Sequence, residues 1–338
     1  MTHTELLLSL LAVVLAAAFS ACLTWALRPL LQRYALARPN ARSSHRIPTP
    51  QGAGIAVIAA TLLVTATIIA GAGSINPAVP TAVFAATLFI ALVGLGDDIK
   101  FIPILPRLLL QAVAVAAIVF TAPDDLRVVP ACPLWIERGL LLLAGLWFVN
   151  LVNFMDGLDW MTAAEAVPIT GALLALGWFG EFPASATILA AALFGAMVGF
   201  APFNRPVARI FLGDVGSLPI GLLLGWCLLQ LAWHQQLAAA LLLPLYYLAD
   251  ATLTLLHRLI RREPFWAAHR LHFYQRATAN GFTVLRVVSE VFALNIVLAA
   301  LAIESINADS NIVSILSLLA GTAAVAMILH RFSQRRPS

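Results

Sequence analysis

Charge is scarce in this 338-residue chain: Asp, Glu, Lys and Arg make up 11% of it, against 61% hydrophobic residues and a mean hydropathy of +0.93. A soluble core does not need so much apolar sequence, so these proportions describe an integral membrane protein. Apolar and polar residues do not alternate over strand-length runs, which argues against a membrane β-barrel. Cysteine is thin as well. Cys22, Cys132 and Cys227 are an odd, scattered trio that gives neither a disulfide framework nor a metal-ligand spacing. There is no Walker loop, no dinucleotide fingerprint, no internal repeat, and no basic segment interleaved with aromatics, so nucleic acid is not an expected partner. The opening Met1-Thr-His-Thr-Glu5 lacks the basic start of a signal peptide, and the first apolar run reads as an uncleaved helix.

What is present is a series of apolar runs bounded by charged or Pro/Gly-rich stretches, at roughly 5–27, 53–72, 81–96, 104–122, 139–154, 161–178, 183–200, 217–234, 236–257, 286–303 and 312–330. Each is near the ~20 residues that a helix needs to cross a bilayer. The expected fold is all-α: a polytopic membrane helix bundle of about eleven transmembrane helices, one domain over 1–338. If successive connections alternate sides, eighteen of the twenty basic residues share one side and only Arg127 and Arg138 take the other. The positive-inside rule then puts the N-terminus outside and the C-terminus in the cytoplasm. The cytoplasmic loops fall at about 28–52, 97–104, 155–160, 201–216 and 258–285, with a tail at 331–338.

Against this apolar background the polar clusters stand out. Asn150, Asn153, Asp156 and Asp159 follow one another at steps of three, on neighbouring parts of one helical face where an apolar helix leaves lipid. A capped helix end and a turn would explain one such residue; four in ten residues indicate a site. In Gly94-Leu-Gly96-Asp97-Asp98-Ile-Lys100 the paired carboxylates repel and need a metal, a proton or a cation, and they sit at the wrong end of a helix for its dipole. Asp214 lies between Gly213 and Gly216-Ser217, which alone would serve as a turn and N-cap. The first loop, Arg42-Ser-Ser-His45-Arg46-Ile-Pro48-Thr49-Pro50-Gln-Gly52-Ala-Gly54, offers a rigid turn with donors suited to phosphate oxygens. His269-Arg270-Leu-His272 is too short for a zinc helix and suits a phosphate or sugar contact better. Arg107 reads as a membrane anchor, and Asp124, Asp125 and Glu137, on the opposite side, read as solvated. Asp97, Asp98, Asp156, Asp159, Asp214 and Asp250 all converge on the basic side. Carboxylates and arginines gathered on one membrane face describe a Mg²⁺-dependent phosphate site, where a water-soluble diphosphate meets a lipid.

In this order the motifs resemble the polyprenyl-phosphate N-acetylhexosamine-1-phosphate transferases, glycosyltransferase family 4. The likeness rests on Pro48-Thr-Pro-x-Gly52, Asp97-Asp-x-x-Lys100, Asn150-x-x-Asn-Phe-Met-Asp-Gly157, Gly213-Asp-x-Gly-Ser217 and His269-Arg-x-His272. It implies a cytoplasmic active site in the bacterial inner membrane that moves a sugar-1-phosphate from a UDP-N-acetylhexosamine to undecaprenyl phosphate, releases UMP, and uses Mg²⁺ or Mn²⁺. By motif it assigns catalytic roles to Asp97, as base or organiser of the lipid phosphate, and to Asp98 and Asp214, which would also hold the metal. Asn153, Asp156, Asp159, Asn204 and Phe211 would hold the nucleoside diphosphate, with Thr49, Lys100 and Asn150 in the same substrate-binding set. His269, Arg270 and His272 would meet the diphosphate or the sugar. A homodimer is compatible with the resemblance. Two departures stand out: Trp160-Met161 replaces a common Gly-Leu, so that Trp160 would cover the nucleoside or reshape the sugar pocket, and Ala53 replaces a glycine. The histidine loop is more similar to enzymes that initiate O-antigen or related polysaccharides than to phospho-N-acetylmuramoyl-pentapeptide transferase, which ranks second. A lipid-linked sugar transporter is the alternative from another class; it would place its ionisable groups near mid-bilayer.

Overall fold

The computed structural model describes residues 2–37, 48–72, 79–263 and 270–335. Among them are thirteen α-helices and one two-stranded pair. In chain order the helices are α1 (His3–Tyr34), α2 (Gly54–Ala72), α3 (Thr81–Ile99), α4 (Ile104–Thr121), α5 (Leu134–Met155), α6 (Met161–Phe179), α7 (Ala184–Phe200) and α8 (Asp214–Trp233). They continue with α9 (Leu237–Leu242), α10 (Leu245–Ile260), α11 (Phe273–Ala279), α12 (Val284–Asn307) and α13 (Asn311–Ser333). The strands β1 (Leu36–Ala37) and β2 (Thr49–Pro50) pair antiparallel. Ten of the helices are long and apolar enough to cross a membrane.

The ninth apolar run, expected as one helix over 236–257, is two: α9 ends at Leu242 and α10 begins at Leu245. Pro244 lies at the break, where its missing N–H and its ring interrupt the helical ladder. The pair still carries the chain from one end of the bundle to the other. After α8, the Gln235 side chain donates to the Arg127 carbonyl between α4 and α5, at the end opposite Asp97. By α11, the Tyr274 hydroxyl donates to the Phe154 carbonyl at the close of α5. Among the described residues the helices therefore make eleven passages, one of them broken.

The helices pack by close backbone approach, as lipid-embedded helices must without a hydrophobic drive between them. α1 turns a stripe of small buried residues, Ser9, Ala12, Ala16, Ser20 and Thr24, toward the bundle. Opposite it on α7, a Cβ on Gly195 or Gly199 would strike the carbonyls of Val13 and Ala17. The core behind this crossing is formed by α6, α7 and α8, whose spans are mostly buried, while α1 and α13 are mostly exposed to lipid.

The two ends of the bundle differ. At the far end Arg127 pairs with Glu137 at 2.8 Å, and Arg138 donates to the carbonyls of Val119 (2.8 Å), Ala122 (3.2 Å) and Pro123 (2.6 Å), closing the C-terminus of α4. Glu137 was expected to be solvated and is instead 4% exposed, because Arg127 and the Val128 amide neutralise its carboxylate. Asp124 and Asp125 are exposed as expected. The start of α1 lies at this end, where Trp178 donates to Ser9. The last turn of α13 lies at the other, where Asn280 donates to the Phe332 carbonyl.

Candidate active site

The site is built where α3 ends and α8 begins. Two acidic residues in the last turn of α3 oppose their own helix dipole, and the structure supplies what compensates each. Asp98 reaches across to α8: its Oδ1 accepts from the Asp214 amide and its Oδ2 from the Val215 amide, both at 3.0 Å. Gly213, which precedes α8, has no side chain to cap it, so Asp98 of another helix acts as the N-cap and lays its charge against the positive end of α8. Gly213 has φ +77°, and a Cβ there would lie 2.6 Å from Asp98 Oδ2. Asp97 is held by the Ile102 amide and by Arg107 Nη1, each at 2.6 Å. The same Arg107 nitrogen lies 3.7 Å from Asp214 Oδ2. Asn153, at the end of α5, donates to Asp214 Oδ1 (2.8 Å) and to Ser217 (2.9 Å).

These contacts gather Asp97, Asp98, Asn153 and Asp214 into one locus. Asp97 is nearly covered, with 7% of its side chain exposed, whereas Asp214 keeps 28%. Mg²⁺ takes few protein carboxylates and fills the rest of its octahedron with water and phosphate oxygens. Asp214, which faces outward, and Asp98 beside it fit such a partial set, since a carboxylate accepting two amides retains further lone pairs. Among the described residues no group of three or more His, Cys, Asp or Glu side chains forms a complete protein cage.

The α5–α6 junction completes the wall. Asp156 caps the end of α5 and accepts from the Thr162 hydroxyl. Burial pushes its carboxyl up to about 7, and the charges of Asp214, Asp98 and Asp159 push the same way against the Thr162 hydrogen bond. Asp159 (6% exposed) accepts from the Ala208 amide at 3.0 Å, and Asn204 (8% exposed) bridges the Trp160 amide (2.7 Å) to the Ile210 carbonyl (3.0 Å). Both therefore fasten the α5–α6 turn to the loop before α8. Trp160 adopts φ +65°, a left-handed conformation natural to glycine and strained for a large side chain. Its indole N–H donates to the Ala201 carbonyl at 2.6 Å, which ties the ring to the end of α7.

The first loop is stitched to the same place. Phe211 donates its amide to Pro50 (2.8 Å), and the amides of Gly52 and Ala53 donate to the Phe211 carbonyl (3.1 Å each). The Gln51 side chain donates to the Asp98 carbonyl at 3.2 Å. Thr49 and Ala53 are buried beside this stitch. The Arg42–Arg46 segment and His269 lie outside the described residues.

Other expected site residues have different surroundings. Asn150 is buried and donates to Gln111 (2.7 Å) and to the Leu146 carbonyl (2.8 Å), within the α4–α5 interface. Asp250 is fully buried. It accepts from Tyr246, from the amides of Phe273 and Tyr274, and from His272 Nδ1 at 3.2 Å, so it caps α11 and orients the histidine. His272 is buried and stacks on Tyr274, while Lys100 and Arg270 are exposed. Arg107, expected as an anchor, is instead the cation between Asp97 and Asp214, and Gln51, Thr162 and Ser217 joined the site only in three dimensions. The one signal for Arg107 in the sequence is its place ten residues after Asp97, beyond the Pro103 turn.

The fold and site define a polytopic membrane protein with an acidic, arginine-bridged centre at one end of its helix bundle. Over residues 80–232, which contain Asp97, Asp98, Asn153, Asp156 and Asp214, this chain matches the sequence model of glycosyl transferase family 4. It is 25% identical over 292 residues to a probable undecaprenyl-phosphate N-acetylglucosaminyl 1-phosphate transferase of Bacillus subtilis, covering 81% of this chain and 80% of that protein. It is 33% identical over 138 residues to a phospho-N-acetylmuramoyl-pentapeptide-transferase of Enterococcus faecalis (40% of this chain, 42% of that protein). It is also 39% identical over 87 residues to one of Shouchella clausii (26% of each). The matched stretches thus span well under half the length of these two pentapeptide-transferases.

Proposed function

We propose that this protein transfers an N-acetylhexosamine-1-phosphate from a UDP-sugar to undecaprenyl phosphate. The products would be the diphosphate-linked sugar and UMP, the first step toward O-antigen or another cell-envelope polysaccharide. The carrying observation is the α3–α8 junction, where Asp98 caps α8 and Asp97, Arg107, Asn153 and Asp214 meet at the basic end of the bundle. By the positive-inside rule that end would face the cytoplasm, with the N-terminus outside, and the membrane would be a bacterial inner membrane.

In this reaction an oxygen of the acceptor phosphate forms a bond to the sugar-linked phosphorus. The bond from that phosphorus to the bridging oxygen breaks, and its electron pair leaves with UMP. Two anions must approach for this, and Arg107 provides fixed positive charge beside Asp214. Asp214 and Asp98 would hold Mg²⁺ (or Mn²⁺), which when bound offsets the repulsion between the phosphates. Asp97, engaged by Arg107 and the Ile102 amide, acts chiefly by holding that arginine in place; the acceptor phosphate is already mostly ionised near neutral pH and has little need of a base. Asp156, Asp159, Asn204 and Phe211 would form the nucleotide side of the site, and His272 and Arg270 the sugar side. A phospho-N-acetylmuramoyl-pentapeptide transferase activity is the second reading, favoured by the local similarity to enzymes of that name.

The test is UMP release by purified protein from undecaprenyl phosphate, Mg²⁺ and a panel of UDP-sugars that includes UDP-N-acetylmuramoyl-pentapeptide. UMP with UDP-N-acetylhexosamines supports the first reading, and UMP with the pentapeptide donor alone supports the second. No UMP with any donor, together with movement of a lipid-linked sugar across liposomes, favours a transporter.

A further inference from the structure

Beneath the site, three buried polar atoms meet at the junction of α6, α10 and α12. Glu165, on α6, is 2% exposed in the second turn of an apolar span. One of its oxygens accepts from Asn295 of α12 at 2.6 Å, and Asn295 also donates to the Ala164 carbonyl at 2.9 Å. The other Glu165 oxygen and the Asn295 oxygen have no partner. The Tyr247 hydroxyl, from α10, interacts with the Thr162 side chain, short of full hydrogen-bond geometry, and has Glu165, Asp156 and Tyr274 as its other polar neighbours. Tyr247 and Asn295 are each 1% exposed. Buried polar atoms left without partners cost about 1–3 kcal/mol each, and three at one junction are what a buried water satisfies, since such waters make about three hydrogen bonds.

We propose that Glu165, Asn295 and Tyr247 enclose a buried hydration site whose hydrogen-bonded chain runs through Thr162 to Asp156, which makes Glu165 a positioning residue for that carboxylate. Thr162 and Glu165 lie one turn apart on the same face of α6, and the Thr162 hydroxyl already donates to Asp156. With Glu165 neutral, its O–H would donate to the water, the water would donate to the Asn295 oxygen and to the Tyr247 oxygen, and the Tyr247 hydroxyl would donate to Thr162. Each link restricts the next, so the Asp156 carboxyl would face the site in one orientation. A Glu–Asn pair that only joined α6 to α12 would need neither Tyr247 nor Thr162.

This inference rests on the proposed role of Asp156 toward the donor, so the experiment has two arms. In the kinetic arm, Thr162→Ala, Tyr247→Phe and Glu165→Ala each raise KM for the UDP-sugar about fivefold while kcat stays within about twofold. The double variant T162A/E165A is no worse than the weaker single variant, because one chain is cut twice. Glu165→Gln, which keeps both an acceptor for Asn295 and a donor for the water, restores KM to within about twofold of wild type. In the second arm, thermal unfolding without substrate shows the same coupling: the double variant loses less than the sum of the two shifts in Tm. Additive effects in both arms, or a Glu165→Gln as impaired as Glu165→Ala, would overturn the chain. If Glu165→Ala does not fold, Tyr247→Phe paired with Thr162→Ala gives the same cycle. Absence of turnover in the wild type would count against the function, while the unfolding arm would still decide the chain.

Discussion

At the residue scale the centre depends on side chains that each have a distinct physical task. Asp214 keeps 28% of its side chain exposed and lies 3.7 Å from Arg107, so Asp214→Asn should lower UMP release by at least about a thousandfold. Its Tm should stay within a few degrees of wild type, and wild-type turnover would remove Asp214 from the chemistry. Asp156 makes a second prediction. A carboxyl raised from 3.8 to about 7 on folding binds its proton more tightly in the native state, so stability falls as pH rises from about 4 to about 7. In chelator-containing detergent, Asp156→Asn should therefore melt higher than wild type at pH 8 and together with it near pH 4; parallel curves would contradict the assignment. The acidic positions were legible in the sequence because polar clusters are conspicuous in an apolar chain. Their partners were not: an arginine beside a membrane helix looks like any other anchor until Asp97 and Asp214 are seen on either side of Arg107. Asn150 misled for the opposite reason, since it shares the helical spacing of Asn153 but is one turn deeper, facing Gln111.

At the element scale, close approach decides which helices can meet. Gly157 follows α5, and a Cβ there would run into the Tyr274 hydroxyl of α11. Gly157→Ala should cost about 1–3 kcal/mol through overpacking and lower activity. Tyr274→Phe in the same chain should recover much of the loss, as read by Tm and UMP release; no recovery would mean that the alanine acts elsewhere. Gly195→Val on α7 should push α1 outward and lower the yield of folded protein, while Gly139→Val, where a Cβ meets nothing within 4 Å, should not. Helix number and length followed from hydropathy because the length of a spanning helix is set by the bilayer. The break at Pro244 was hidden because the residues on both sides of it are as apolar as in an unbroken span, so only the proline argued for two helices.

At the scale of the whole molecule, eleven passages place the start of α1 and the end of α13 at opposite ends, with the site at the latter. Topology reporters should show this: one active only in the cytoplasm should work when fused after residue 335 and fail after Trp233. The reverse pattern would invert the orientation. The sequence exposed this asymmetry through its arginines, but not the order in which the ends are completed. Asp98 and the amides it caps are 116 and 117 residues apart, so the ribosome delivers the carboxylate pair long before the helix that receives it. A nascent chain stopped short of Asp214 would hold both acids at the membrane surface with nothing to clasp, and competence would arrive only with the eighth helix, late in biogenesis.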